Sequence, residues 1–348
     1  MKQRINVALQ GGGAHGAFTW GVLDRLLEDP DLEIAGITGT SAGALNAAAL
    51  KAGLIAGGPK NGREAARENL DRLWAQVGAV GDLRVAQWFR TVFPMAAAMG
   101  DFATANLPIS PAGIAAQLYS PYAWGPFWQN PLHEVVSHFD FSRICADEGP
   151  DLFVSATNVR SGKIRVFAGA EITPAVLLAS ACLPTVFQAV ELRDPATGHD
   201  EVFWDGGFTG NPALFPLYQP HLPDDILIIS INPLYRAAIP QSPVEIQDRV
   251  NEISFNAALL GELRSIAFVK RLIAEGRMPA GAMKDLNVHL IADDGLMNQL
   301  GAGSKLSPTE ELLTRLKTAG RAAATHFLHR HRGHIGKESS ADLRGIFD

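Results

Sequence analysis

Gly39-Thr40-Ser41-Ala42-Gly43 is a G-x-S-x-G sequence. Physically this is a sharp strand-to-helix turn that holds a serine hydroxyl out above a sheet. Gly39 and Gly43 are needed because side chains there would collide across the turn. A strand is expected before the elbow over residues 34–39, and an Ala-rich helix after it over residues 42–52. The positive end of that helix would face the negative charge that develops during acyl transfer. Ser41 as a simple helix cap is the competing reading, and the flanking strand and helix favour the nucleophile.

A second glycine cluster, Gly11-Gly12-Gly13-Ala14-His15-Gly16, closes the first expected strand and opens the first helix. It satisfies the G-x-G-x-x-G fingerprint of a dinucleotide-binding oxidoreductase letter for letter. That fingerprint expects an acidic residue about 20 positions on, at the end of the second strand. Here the second strand ends in the Ser41 turn and Glu33 lies before it, so the nucleotide reading fails its second test. Successive N–H groups of Gly11, Gly12 and Gly13 serve better as an oxyanion hole, since a plain tight turn needs one glycine rather than three.

A nucleophilic serine needs a base. None of the ten histidines lies in an informative motif. His133, Glu134 and His138 resemble a zinc-binding H-E-x-x-H with one residue too many, which turns the two rings about 140° apart on a helix. Asp293-Asp294-Gly295 lacks the alternating ligands of a calcium loop, so neither metal nor cofactor is expected. Asp205-Gly206-Gly207 follows the apolar run Val202-Phe203-Trp204. That places Asp205 at a strand end where a glycine turn could aim it, although an ordinary Asp-Gly turn has the same sequence.

Taken together, the three motifs resemble those of the patatin-like phospholipase family. The resemblance implies a Ser–Asp dyad on a three-layer α/β/α fold with a central, mostly parallel sheet. It carries the nucleophile onto Ser41, the base onto Asp205, and the oxyanion hole onto Gly11, Gly12, Gly13 and the amide region around Ala14. Residues 179–187, Ala-Ser-Ala-Cys-Leu-Pro-Thr-Val-Phe, are similar to the family's A-S-x-x-x-P-x-x-F element, which packs beside the site. The match spans about residues 5–210. His15 departs from it, standing where the family usually has Arg or Lys. An α/β-hydrolase would reach its elbow after several strands and need a late histidine; here one strand precedes Ser41. An aspartate at its usual pKa of about 3.9 is a weak base unless burial raises it. The expected activity is lipid acyl hydrolysis through an acyl-enzyme. A dinucleotide-dependent oxidoreductase and a catalytically idle lipid-binding protein on the same fold are the alternatives.

These residues must be positioned by the elements around them. Two βα units in the first 55 residues announce a parallel sheet with helices on its faces. An amphipathic helix follows over residues 61–77. Residues 55–135 are expected as a helical and irregular insertion, a lid in one reading and core packing in the other. Between Thr91 and Leu132 the one charged residue is Asp101. Trp124, Phe127 and Trp128 there suit a lipid–water boundary. Strands are expected over 152–157 and 163–167, on both sides of the 194–198 loop, and over 226–231 and 287–292. Helices are expected over 173–182, 244–275 and 308–329. The 244–275 helix is apolar on more than one face, which suggests core burial, with a subunit interface and a homo-oligomer as the alternative. One domain over 1–306 is expected, then a C-terminal helix and a basic, His-rich tail over 307–348 whose last residues, 333–348, look mobile. Arg315, Lys317, Arg321, Arg330, Arg332 and Lys337 with His326, His329, His331 and His334 could meet an anionic membrane or a metal, or form a solvated face.

Composition limits the remaining choices. Of 348 residues 47% are hydrophobic and 19% charged, against about 25% charged in an average soluble chain, which excludes disorder. No run approaches the ~18 apolar residues of a membrane span. A net charge of −6 argues against a nucleic-acid partner. Two cysteines, Cys145 and Cys182, make no disulfide framework, and no leader pattern is evident at the N-terminus. A cytoplasmic location with peripheral membrane contact, and a lipid or ester substrate, are the resulting expectations.

Overall fold

The computed structural model describes residues 2–80, 120–124, 130–184, 186–279 and 281–347. The two leading βα units are present as β1 (Gln3–Leu9), α1 (Gly16–Leu26), β2 (Leu32–Thr40) and α2 (Ala42–Val80). Helix α2 breaks at Gly58, with φ 61° and ψ −162°, just before Pro59. It is therefore two helices end to end, the Ala-rich and the amphipathic ones that the spacing predicts. After α3 (Leu132–Ser137) and α4 (Phe141–Ile144) come β3 (Asp151–Asn158), β4 (Ile164–Ala168), α5 (Pro174–Ser180), β5 (Val190–Arg193) and β6 (Asp200–Asp205). The chain continues through β7 (Asp225–Ile229), α6 (Pro243–Ala274), β8 (Asn287–Ile291), α7 (Asp294–Met297), α8 (Ala302–Lys305) and α9 (Glu310–His331).

Among the described residues the strands form one mixed sheet of order β5-β6-β3-β2-β1-β7-β8, with β4 also on β3. Strands β3, β2, β1, β7 and β8 run parallel, while β4, β6 and β5 add antiparallel pairs. Alternation along each strand divides the core between the two faces. Ile5, Val7 and Leu9 of β1, with Leu227 and Ile229 of β7, pack under α1, α2 and α9. Ala8, Ile226 and Ile228 face the other way, against Leu259, Leu263 and Ile266 of α6. Burial on both faces is why these strands read as continuous apolar runs. The result is a three-layer α/β/α fold.

One detail of the sheet positions the site. Ser155 of β3 pairs with Thr40 of β2 and with Val166 of β4. The next residue, Ala156, pairs with Arg165 of β4 and with Asp205 of β6. A strand has two edges and β4 fills one, so β2 and β6 share the other, running in opposite directions and meeting end to end. Their last residues, Thr40 and Asp205, are thereby brought beside one another.

Two expectations need correction. The tail after residue 332 is packed rather than mobile: Ile335 and Leu343 are buried, the Val288 N–H donates to Ser339 Oγ (3.0 Å), and Gly336 N–H donates to Asp225 Oδ1 (2.8 Å). Its polar groups complete hydrogen bonds along β8, which a hydrophobicity pattern does not register. In α6, Val250 and Ile253 are exposed, with Ile246, while Phe255, Leu259 and Ile266 carry the buried face. The C-terminal cations are largely engaged within the molecule: Arg321 pairs with Asp24 and Glu28, Arg332 with Asp29 and Asp31, and Lys317 with Asp71. Most of the apolar 91–132 segment, including Phe127 and Trp128, lies outside the described residues, and with it the lid reading. No helix among the described residues is long and apolar enough to cross a membrane.

Candidate active site

Ser41 sits at the junction of β2 and α2 with φ 55°. A non-glycine residue in the left-handed region is strained and persists only where its surroundings force it. Here they do. A Cβ at Gly43 would stand 2.2 Å from the Leu9 carbonyl oxygen, and one at Gly39 would stand 2.6 Å from the Gly43 oxygen. The Ser41 N–H donates to Ser180 Oγ (2.9 Å), whose hydroxyl donates to the Ser155 carbonyl (2.7 Å). Ser180 at the end of α5 thus ties the elbow to β3. The Ser41 carbonyl accepts from Ala44 and Leu45 at 2.9 and 3.1 Å, which starts the helix.

Asp205 is buried at the facing strand end. Its N–H donates to the Cys182 carbonyl (2.8 Å), and Thr157 Oγ1 donates to its carbonyl (2.8 Å). The carboxyl turns back so that Oδ1 accepts from the Gly207 N–H (2.8 Å). Gly206 closes this turn tightly, since a Cβ there would meet the Ser155 oxygen at 2.2 Å. Burial pushes the Asp205 carboxyl up to about 7, while the Gly207 N–H and the Ser41 hydroxyl pull the other way. The Ser41 hydroxyl is thus one of the groups that hold this carboxyl down, and Oδ2 has no hydrogen-bond partner among the described residues.

The glycine loop lies against the elbow: a Cβ at Gly11 would stand 2.6 Å from Ser41 Cβ. The Gly11 N–H is already engaged, donating to Asn211 Oδ1 (2.6 Å), so it is not an available oxyanion donor. That narrows the expected donor set to Gly12, Gly13 and Ala14. The Gly11 carbonyl accepts from Asn232 Nδ2 (2.8 Å) and Asn211 Nδ2 (3.3 Å). Beneath them, buried Gln10 accepts through Oε1 from the N–H groups of Ile231 (2.9 Å) and Asn232 (3.0 Å). Gln10, Asn211 and Asn232 were not singled out from the sequence. Buried polar residues at strand ends were the available signal, and their partners stand about 200 positions away in the chain.

Other candidates separate cleanly. Burial, with Asp205 close by, pushes the Cys182 thiol up to about 12, so it is no rival nucleophile. His15 is buried, bonded through Nε2 to Ser304 Oγ (2.7 Å), and held down at about 3 by burial and by Lys305 and Arg236. It is neutral at pH 7 and brings no charge to the loop. His138 bonds the Glu134 carbonyl through Nδ1 (2.7 Å). The arrangement as a whole joins a hydroxyl on a helix N-terminus, a buried carboxyl of raised pKa, and a glycine loop, a set suited to acyl transfer.

Comparison with known proteins gives one family model, Patatin-like phospholipase, which matches residues 7–218. No curated protein matches the chain. Among solved structures the chain is similar to VipD from Legionella pneumophila, at 16% identity over 94% of this chain and 67% of that one, with a TM-score of 0.40. It is also similar to ExoU, solved with SpcU from the type III secretion system of Pseudomonas aeruginosa, at 15% identity over 99% of this chain and 76% of that one, with a TM-score of 0.27.

Proposed function

Since the chain belongs to the patatin-like phospholipase family, we propose that it hydrolyses lipid acyl esters with Ser41 as nucleophile and Asp205 as base. Asp205 takes the hydroxyl proton as Ser41 Oγ bonds to the ester carbonyl carbon. The carbonyl electron pair moves onto oxygen and is met by N–H groups of Gly12, Gly13 and Ala14. The C–O bond to the alcohol then breaks and that alcohol leaves with the proton, giving an acyl-enzyme. Water, deprotonated by Asp205, repeats the sequence and releases the fatty acid. No metal or cofactor enters these steps.

The observation that carries this reading is geometric: Ser41 stands at a left-handed elbow at the end of β2, where that strand meets the end of β6 holding buried Asp205, and burial there raises the carboxyl's pKa to about 7. A general base is most effective with a pKa near the working pH. Ser41→Ala and Asp205→Asn should each lower ester hydrolysis by roughly three orders of magnitude or more while the circular dichroism spectrum is retained. Wild-type protein should be labelled by a fluorophosphonate at Ser41, and near-wild-type turnover in Asp205→Asn would exclude the dyad.

Contact with a lipid surface is part of the same proposal. Ile246, Val250 and Ile253 form an exposed apolar line on α6, at 47%, 50% and 54% exposure. Phe255 on the same helix meets Phe208, beside the Asp205 turn, with ring centroids 5.0 Å apart. Val250→Glu should lower activity on vesicles several-fold and leave a soluble p-nitrophenyl ester unaffected; equal activity on vesicles would remove this face from consideration.

A further inference from the structure

Beyond residue 218, where the family match ends, a chain of hydrogen bonds runs from a lysine into the glycine loop. Lys305, half-buried at the end of α8, donates through Nζ to Asn232 Oδ1 (2.8 Å). The same amide donates through Nδ2 to the Gly11 carbonyl (2.8 Å). That carbonyl belongs to the peptide unit whose other end is the Gly12 N–H. The backbone of α8 is seated on the loop as well: a Cβ at Gly13, where φ is +58°, would meet the Lys305 carbonyl oxygen at 2.2 Å. Gly13 therefore has to be glycine for two reasons, its conformation and this contact.

We propose that Lys305 is a positioning residue for the oxyanion loop, fixing Asn232 and, through it, polarising the Gly11–Gly12 peptide so that the Gly12 N–H becomes a stronger donor. The relay rests on the acyl-hydrolase reading above. Its physical basis is cooperative: each acceptor in a hydrogen-bond chain makes the next donor more acidic, and low local polarity enlarges the effect. A charged donor at the head of the chain gives the strongest start. The groups facing Lys305 are His15 from the loop, Arg236 from the segment after β7, and Asp248 and Glu252 from α6. His15 is neutral, Arg236 is bonded to Glu252 (2.6 Å), and the two carboxylates favour the ammonium. Burial lowers the pKa of Lys305 against that attraction.

The test is steady-state kinetics on p-nitrophenyl butyrate, with fluorophosphonate labelling rates measured in parallel. Lys305→Met should lower kcat and the labelling rate at least tenfold, with KM changed less than twofold. Wild type should show an alkaline fall in kcat below pH 10.5; Lys305→Arg should retain most activity and lose that fall. Asn232→Asp keeps the acceptor for Lys305 but removes the donor to Gly11, so its loss should match that of Lys305→Met, and the double variant should be no worse than either. Lys305→Met within twofold of wild type, a loss confined to KM, or full additivity in the double variant would each overturn the relay. If Lys305→Met does not fold, the alkaline limb of Lys305→Arg and the Asn232→Asp result still decide. Wild-type protein that neither turns over esters nor takes the label removes the acyl-hydrolase reading itself; a labelled wild type with an indifferent Lys305 removes the relay alone.

Discussion

Asp205 pairs a favourable chemical property with an unfavourable structural one. Burial lifts its pKa to about 7 from an ordinary carboxylate value. As the proposed base it is ionised only above that point, so kcat/KM should rise with pH through about 7 and level off beyond it. In the unfolded chain the same group ionises near 4. Between these values the native state holds a proton that the unfolded state has lost, so stability contributed here is complete below pH 4 and falls as pH rises to 7. Asp205→Asn should accordingly gain stability over wild type between pH 4 and pH 8, by at most on the order of 4 kcal/mol; a melting-temperature difference that is flat with pH would contradict this. At the loop, Asn211→Ala leaves the buried Gly11 N–H without its partner. It should cost about 1–3 kcal/mol of stability in denaturant titration, together with a fall in kcat. The sharp turns at Ser41 and Asp205 were legible because their glycine neighbours mark them. The raised pKa of Asp205 and the bonds of Asn211 and Lys305 were not, because each arises from chain segments brought together only by folding.

At the level of elements, helix α5 does more than cover the sheet. Its last residue, Ser180, bridges the Ser41 N–H and the Ser155 carbonyl. Ser180→Ala leaves two buried groups unpaired, and the expected outcome is a ten- to hundredfold loss of kcat with a stability loss of about 1–3 kcal/mol. Restoration by Ser180→Thr in the same assay would support the hydroxyl as the agent. The sequence motif around Ser180 placed this segment beside the site, but not the bond that makes it matter. Most strands were readable from their apolar runs, within a residue or two at the ends. Helix α6 was ambiguous for a physical reason: apolar residues surround it, and periodicity cannot distinguish a face covered by the sheet from one left open at Val250 and Ile253.

Across the whole molecule, the C-terminal helix is part of the core. Leu313, Leu316 and Phe327 of α9 join the same apolar cluster as Ile5 and Val7 of β1. Where α9 crosses α1 the backbones nearly touch: a Cβ at Gly320 would lie 2.1 Å from the Phe18 carbonyl oxygen, and one at Gly21 would lie 2.0 Å from that of Lys317. Gly320→Val should therefore unfold the protein at lower temperature by several degrees or prevent soluble expression; an unchanged melting temperature would show that the crossing can yield. The packing of the tail was not accessible from the sequence, because it depends on serine and histidine contacts with no sequence period. The meeting of β2 and β6 on one edge of β3 has a further consequence. Side chains alternate along a strand, so a slip of β6 by one residue would carry Asp205 to the opposite side of the sheet. Strand registration is thus a condition for the proposed chemistry, and inserting one residue between Glu201 and Trp204 should abolish ester hydrolysis and fluorophosphonate labelling of Ser41 with both proposed catalytic side chains still in the sequence.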